Sequence, residues 1–242
     1  DSNRPLHVFD ADKVAGGALR VHRAKGGEAF SALDDKDYTL AEGMTVISDA
    51  DGVESLGGIM GGVHSGCTDE TVNVFLEGAY FDPVRTAYTG RALKINSDAR
   101  YRFERGIDAS WTPVGIEAAT LMILDLCGGI ASDVVIAGAQ PDHARAYQLD
   151  TDRIQSLVGM ELPDAEQRAT LTALGFDLQG DMAHVPGWRP DIMGEADLVE
   201  EVARVASLTK LQGKPLPRLQ SGVPKAILSP MQRREQIARR TS

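Results

Sequence analysis

Cysteine is scarce. Cys67 and Cys127 lie far apart and outside any CxxC or Cys/His ligand spacing. Structural zinc is therefore not expected, and a reducing cytoplasm is the default compartment. Aromatic residues make up only 5% of the chain, so the core must be mostly Leu, Ile, Val and Ala. No apolar run reaches the roughly 18 residues of a membrane-spanning helix. The opening DSNRPLH lacks the charged-then-apolar order of a secretion signal. Positive charge is in deficit too: Lys and Arg number 25 against 35 Asp and Glu, a formal net charge of -10. That excludes general nucleic-acid binding by bulk electrostatics. Any RNA contact must use a local basic patch or be supplied by a partner. No Ser-His-Asp order or nucleophile elbow supports covalent catalysis.

The 242 residues suffice for one large domain or two ordinary ones. Short apolar runs at 17–56 (GALRVHRA, GEAFSAL, DYTLAEG, MTVISDADG) read as strands joined by tight turns, with Asp51-Gly52 a strong turn signal. VNVFLEGAYF at 72–81 reads as a buried strand. Residues 113–127 read as a mostly buried helix, opened by Pro113 and closed by Gly128-Gly129. ASDVVIAG at 131–138 reads as one more strand, and AQPDHARAY at 139–147 as a boundary. Beyond it come a short helix in LDTDRIQSLVG and a helix with Asp164 as cap and Gln167 completing a capping box. A hairpin-like pair in FDLQGDMAHVPG and an amphipathic helix in GEADLVEEVARVA follow. That last helix should set Leu198, Val202 and Val205 opposite Asp197, Glu200, Glu201 and Arg204. Residues 207–230 read as a connector, and both chain ends look like cuts through a longer protein. The expected fold is α+β: a β-rich, barrel-like domain with packed helices over 1–145 and a small helix-and-hairpin domain over 147–215. Residues 216–242 would then be linker and the start of a further, truncated domain.

Three features suggest a concave polar site. GGIMGGVHSG at 57–66 has five glycines in ten, which lets backbone approach a ligand closely, although it is neither a phosphate-binding loop nor GxGxxG. SDARYRFERG at 97–106 is too polar for a core strand and too aromatic for a solvated loop. Glu77 sits among Phe75, Leu76, Ala79, Tyr80 and Phe81, where an unpartnered carboxylate costs several kcal/mol. It is either half of an ion pair with Arg91, Arg100 or Arg102, or a reader that accepts a hydrogen bond from a ligand hydroxyl. His7, in RPLHVFD, and His64, in the glycine loop, are each either structural or catalytic. Asp191, Asp197, Glu200 and Glu201 form an acidic cluster, the last three on one helix face. It is either a solvated surface or a site for a hard cation such as magnesium.

RPLHVFDADKVAGG, LGGIMGGVHSGCTDET, VFLEGAYFDP, SDARYRFERGID and WRPDIMGEADLVEEVARV occur here in the same order as in one known family. Through them the chain, from residue 4 to about 206, resembles the β subunit of bacterial phenylalanyl-tRNA synthetases. The resemblance implies an editing domain that hydrolyses tyrosine wrongly attached to the phenylalanine tRNA, followed by a small domain. It implies that His7 belongs to the editing pocket, that Glu77 contacts the tyrosine hydroxyl, and that Gly61, with Gly62, and Ser97 and Ala99 line the pocket. It implies that Asp191, Asp197, Glu200 and Glu201 serve a magnesium ion shared with an α subunit. The implied assembly is a cytoplasmic α2β2 enzyme acting on its tRNA, with no membrane. ATP is used by the whole ligase but not bound by this segment, which should not aminoacylate by itself. A Thr-Asn-bearing segment that precedes RPLH in the family is absent here. Val63 stands where many members have glutamate. ARVASLTKLQGKP replaces the usual tyrosine-glycine-tyrosine ending of the last helix. The competing reading is a non-catalytic scaffold for tRNA and subunit assembly.

Overall fold

The computed structural model describes residues 4–211, 213, 215, 216 and 228–241. It divides into two compact units, residues 1–207 and 208–242.

The larger unit opens with eight short strands: β1 (His7–Asp10), β2 (Arg20–Arg23), β3 (Ala29–Ser31), β4 (Asp37–Thr39), β5 (Thr45–Ser48), β6 (Val53–Leu56), β7 (Met60–Gly61) and β8 (Val74–Glu77). They make three antiparallel sheets, β2-β5-β6-β7, β3-β4 and β1-β8. The architecture is mixed α and β, as expected, but among the described residues no closed barrel forms. The reason is pairing: β8 spends its ladder on β1 instead of extending the four-stranded sheet. β8 is also not the buried strand that its apolar run predicts. Val74 and Phe75 are exposed, and Leu76 and Glu77 half-buried.

Three helices follow, α1 (Pro83–Leu93), α2 (Asp98–Phe103) and α3 (Thr112–Cys127). Asp82 caps α1 by accepting from the Arg85 amide at 2.7 Å, and Pro83 supplies the preset φ of a first turn. Lys94 ends it in the left-handed region, φ 56°. α1 meets α2 where Gly90 leaves room for Arg100, whose side chain a Cβ at Gly90 would overlap. One apolar cluster fills the space between β3, β5 and β6 (Phe30, Leu40, Val46, Leu56, Ile59, Ile95). A second joins β1 to the helices (Phe9, Ile47, Phe81, Phe103, Ile107).

α3 corrects an expectation. Its only buried residue is Gly115, while Leu121, Met122 and Leu126 are exposed. Residues 131–138 form no strand, and Ile130, Val134, Val135 and Ile136 are open. The apolar sequence here meets no complementary surface within the described residues.

The rest of the unit is β9 (Ala146–Gln148), α4 (Arg153–Val158), α5 (Asp164–Ala173), the hairpin β10 (Asp177–Gln179) and β11 (Met182–His184), and α6 (Glu195–Ala206). The sheet order is β10-β11-β9, and Ile154, Leu171, Ile192, Leu198 and Val202 centre a separate core. The expected capping box on α5 does not form. Gln167 is buried, and its amide donates to the Thr151 and Leu162 carbonyls, both at 3.0 Å. On α6 the expected faces shift: Val205 is exposed, whereas Glu201 is buried. Arg145 ties the loop before α6 to the start of β9 by donating to the carbonyls of Arg189, Pro190 and Ile192 at 2.9–3.0 Å.

The smaller unit contains a 3-10 turn at Leu208–Lys210 and helix α7 (Pro230–Thr241), with no buried residue on α7. Most of the connector expected at 207–230 lies outside the described residues.

Candidate functional site

The β1–β8 ladder sets His7 directly opposite Glu77 and Phe9 opposite Phe75. Alternation along a strand puts these four side chains on one face, and opposed pairs bring Cβ atoms to roughly 5 Å. The His7 ring packs edge-on against Phe9, centroids 4.3 Å apart. Gly61 backs the imidazole: a Cβ there would run into the His7 ring. Next to Glu77 in the chain, and so on the other side by the same alternation, a Cβ on Gly78 would strike Ile116 and Leu6. Close approach thus requires glycine at both positions.

Both polar groups on the face lack partners. Among the described residues no cation or hydrogen-bond donor engages the Glu77 carboxylate, and burial pushes its pKa up to about 7. The ion pair considered from the sequence does not form: Arg100 pairs with Glu104, Arg102 with Asp98, and Arg91 is exposed on α1 without reaching Glu77. The Nε2 atom of His7 is buried without a hydrogen bond, and burial lowers the pKa of its imidazole. At neutral pH the face therefore carries a neutral imidazole and a carboxyl group poised between its two forms. Groups so costly to bury alone are what a ligand-reading site requires.

Ser97 and Ala99 arrive on α2. Ser97 caps that helix through the Arg100 amide (3.1 Å) and donates to the Ile59 carbonyl at 2.6 Å, which pins the helix to the glycine loop. Ala99 packs, half-buried, on the Phe9, Phe81 and Phe103 cluster. Gly62 is different. Its amide already donates to the Glu54 carbonyl at 2.7 Å, so it is not free to stabilise an oxyanion.

His64 belongs to a separate group with Asp49 and Glu54, whose ligating atoms lie within 4.8 Å of one another. Sequence spacing did not bring these three together. The group is satisfied internally. The two oxygens of the buried Glu54 take His64 Nδ1 (3.0 Å) and the Ser65 amide (3.1 Å). The Asp49 carboxylate takes the amides of Ala15, Asp51 and Gly52.

The acidic cluster lies in the second core region, and arginines occupy it. Arg189 holds Asp191 at 2.6 Å and Glu201 at 2.9 Å, and Arg204 holds Glu201 at 2.6 Å. These partners keep the Asp191 and Glu201 carboxyls below the usual range. Asp197 accepts from the Met193 amide at 2.7 Å, and Glu200 is exposed. Among the described residues these four do not converge as a metal-ligand group. As arranged, the carboxylates fit guanidinium groups better than a metal ion.

Comparison with known proteins gives this geometry a family. The B3/4 domain model matches residues 1–128, and the tRNA synthetase B5 domain model matches residues 147–207. The phenylalanine–tRNA ligase β subunit of Ruegeria pomeroyi is 69% identical over the whole chain. That of Cereibacter sphaeroides is 67% identical over 99% of the chain, and that of Paramagnetospirillum magneticum 49% over 99%. In each case the chain spans about 30% of the relative's length. A solved N-terminal fragment of the phenylalanyl-tRNA synthetase β subunit from Pyrococcus horikoshii overlaps at a TM-score of 0.38 and 20% identity, over 81% of this chain and 58% of that one. Matched over more than half its length by the B3/4 model, with the B5 domain model matching residues 147–207, the chain belongs to the B3/4 family.

Proposed function

We propose that the His7–Glu77 face is a post-transfer editing site that hydrolyses tyrosine from mischarged phenylalanine tRNA. The observation that carries this reading is an unpartnered carboxyl, Glu77, directly across a ladder from an unpartnered imidazole, His7, over a glycine floor.

Tyrosine is phenylalanine plus one hydroxyl, and an apolar pocket rejects such an addition weakly. A site built to bond the hydroxyl discriminates far better, because a ligand without it leaves a buried polar group unpaired. Glu77 suits the task in either state: ionised, it accepts from the phenol; protonated, it donates to the phenol oxygen. Ester hydrolysis then needs a positioned water. The water attacks the ester carbonyl, the bond to the ribose oxygen breaks, and that oxygen takes up a proton. Neutral His7 can accept a hydrogen bond from this water or donate one to the ester, according to tautomer. Phe75, 40% exposed, supplies apolar surface for the ring, Phe9 backs His7 from the core, and Ser97 holds the glycine loop in place.

In the intact protein the segment would act beside an α subunit that binds ATP and phenylalanine, in a cytoplasmic α2β2 enzyme. A magnesium ion shared between the subunits would require Arg189 to release Asp191 and Glu201. The test is deacylation of tyrosyl- against phenylalanyl-tRNA by the complete complex, with and without Glu77→Ala. Selective removal of tyrosine that disappears in the variant is the expected result. A variant as selective as the wild type would sink the assignment. A second reading, a scaffold for assembly, is favoured by the open apolar face of α3 and residues 130–136. It predicts no difference between the two proteins.

A further inference from the structure

α1 carries a surface that the editing chemistry does not use. Tyr88 is 67% exposed, and Arg85 and Arg91, at i−3 and i+3 from it, are exposed beside it on the same helix face. Lys94 closes the helix, also exposed. Arg85 donates to the Gly43 carbonyl at 3.1 Å, which orients its guanidinium without neutralising it. Among the described residues, none of these three cations has an anionic partner. This contrasts with the arginines of α2, which are paired with Asp98 and Glu104. In a chain of net charge -10, a run of unneutralised cations around a bare aromatic ring stands out.

We infer that the Arg85–Tyr88–Arg91–Lys94 face of α1 binds the single-stranded end of an RNA. An unstacked base lies on the Tyr88 ring, and neighbouring phosphates meet the flanking cations. Every base has a π-face, so an exposed ring between cations reads single strands independently of sequence. A duplex offers only its phosphates. Position supports the assignment. α1 begins six residues after Glu77 (83 − 77), so chain length alone keeps Tyr88 within about 30 Å of that carboxyl. The identity of the RNA, the aminoacylated end of a tRNA, rests on the editing reading above.

The test is fluorescence-anisotropy titration of the whole chain with a short single-stranded RNA and with its duplex, across a salt series. Tyr88→Ala should weaken single-strand binding about five- to 100-fold, and Tyr88→Phe should restore it. Arg85→Gln/Arg91→Gln should lower the slope of log affinity against log salt by about 1.4. Absence of salt-dependent single-strand binding by the wild type overturns the inference. So does a Tyr88→Ala variant that binds like the wild type, or equal preference for the duplex. A salt slope lowered by Arg85→Gln/Arg91→Gln without any Tyr88 effect likewise overturns it, since phosphate contact alone would then hold the strand. The two readouts separate the proposals: RNA affinity tests the α1 face through Tyr88→Ala, and selective deacylation tests the editing reading through Glu77→Ala. Intact RNA binding with no editing by the wild-type complex would remove the editing reading and leave this surface standing.

Discussion

Two carboxylates behave oppositely in this molecule. Glu201, on α6, lies between Arg189 and Arg204, and its pKa falls. Glu77, on β8, has no partner, and its pKa rises to about 7. Both groups lost their hydration on folding, but only one was compensated within the chain. The compensated acid is part of the structure. The uncompensated one holds a free-energy cost that a ligand can relieve.

On the editing proposal, the largest effect should come from removing Glu77. Glu77→Ala should reduce tyrosyl-over-phenylalanyl selectivity in deacylation by about a hundredfold or more, since that proposal rests the discrimination on pairing a hydroxyl. Stability of that variant should not fall, because an unpaired acid is lost, and thermal melting checks it. The second region should respond the other way. Arg189→Met leaves Glu201 buried with one partner in place of two and should cost about 3 kcal/mol of unfolding free energy in urea titration. Combining it with Glu201→Gln should recover part of that loss. A silent Arg189→Met would remove the contrast altogether.

A pH series sharpens the comparison. Glu77 binds its proton more tightly folded than unfolded, so its contribution favours the folded state at low pH. That contribution is lost as pH rises from about 4.5 to about 7. The loss should approach about 3 kcal/mol at most and be absent in Glu77→Gln. Glu201 has the reverse sign. Its lowered pKa gives stability that is present above its unfolded value and lost as pH falls through the folded one. Comparing Glu77→Gln and Glu201→Gln profiles should therefore give opposite slopes. The smallest effect belongs to Ser97→Ala, which removes the α2 cap and the bond to Ile59. About 1 kcal/mol is expected in denaturant titration.

Much of the candidate site was legible in the sequence, because Glu77 and His7 are polar residues set in apolar runs. Their pairing was not, since no local pattern reports a four-residue ladder between distant segments. α1 escaped the periodicity argument for a definable reason. Its buried positions are Thr86, Thr89 and Gly90, so it has no apolar stripe. Asp82-Pro83 was nevertheless a readable start signal. α3 misled in the opposite direction, being apolar nearly all round yet largely exposed. Periodicity put Glu201 on the solvated face of α6. Nothing local to that helix announced that Arg189, from a loop, would bury it.

The Arg145 guanidinium that closes on three backbone carbonyls has a consequence for proteases. Trypsin must draw an arginine side chain into its own specificity pocket before it can cut. Residues 142–144 are exposed and would ordinarily invite cleavage at the junction. With its side chain already clasped, the bond after Arg145 should resist digestion until the β9–α6 region unfolds. The first tryptic nick at this junction would then time the melting of the B5 domain.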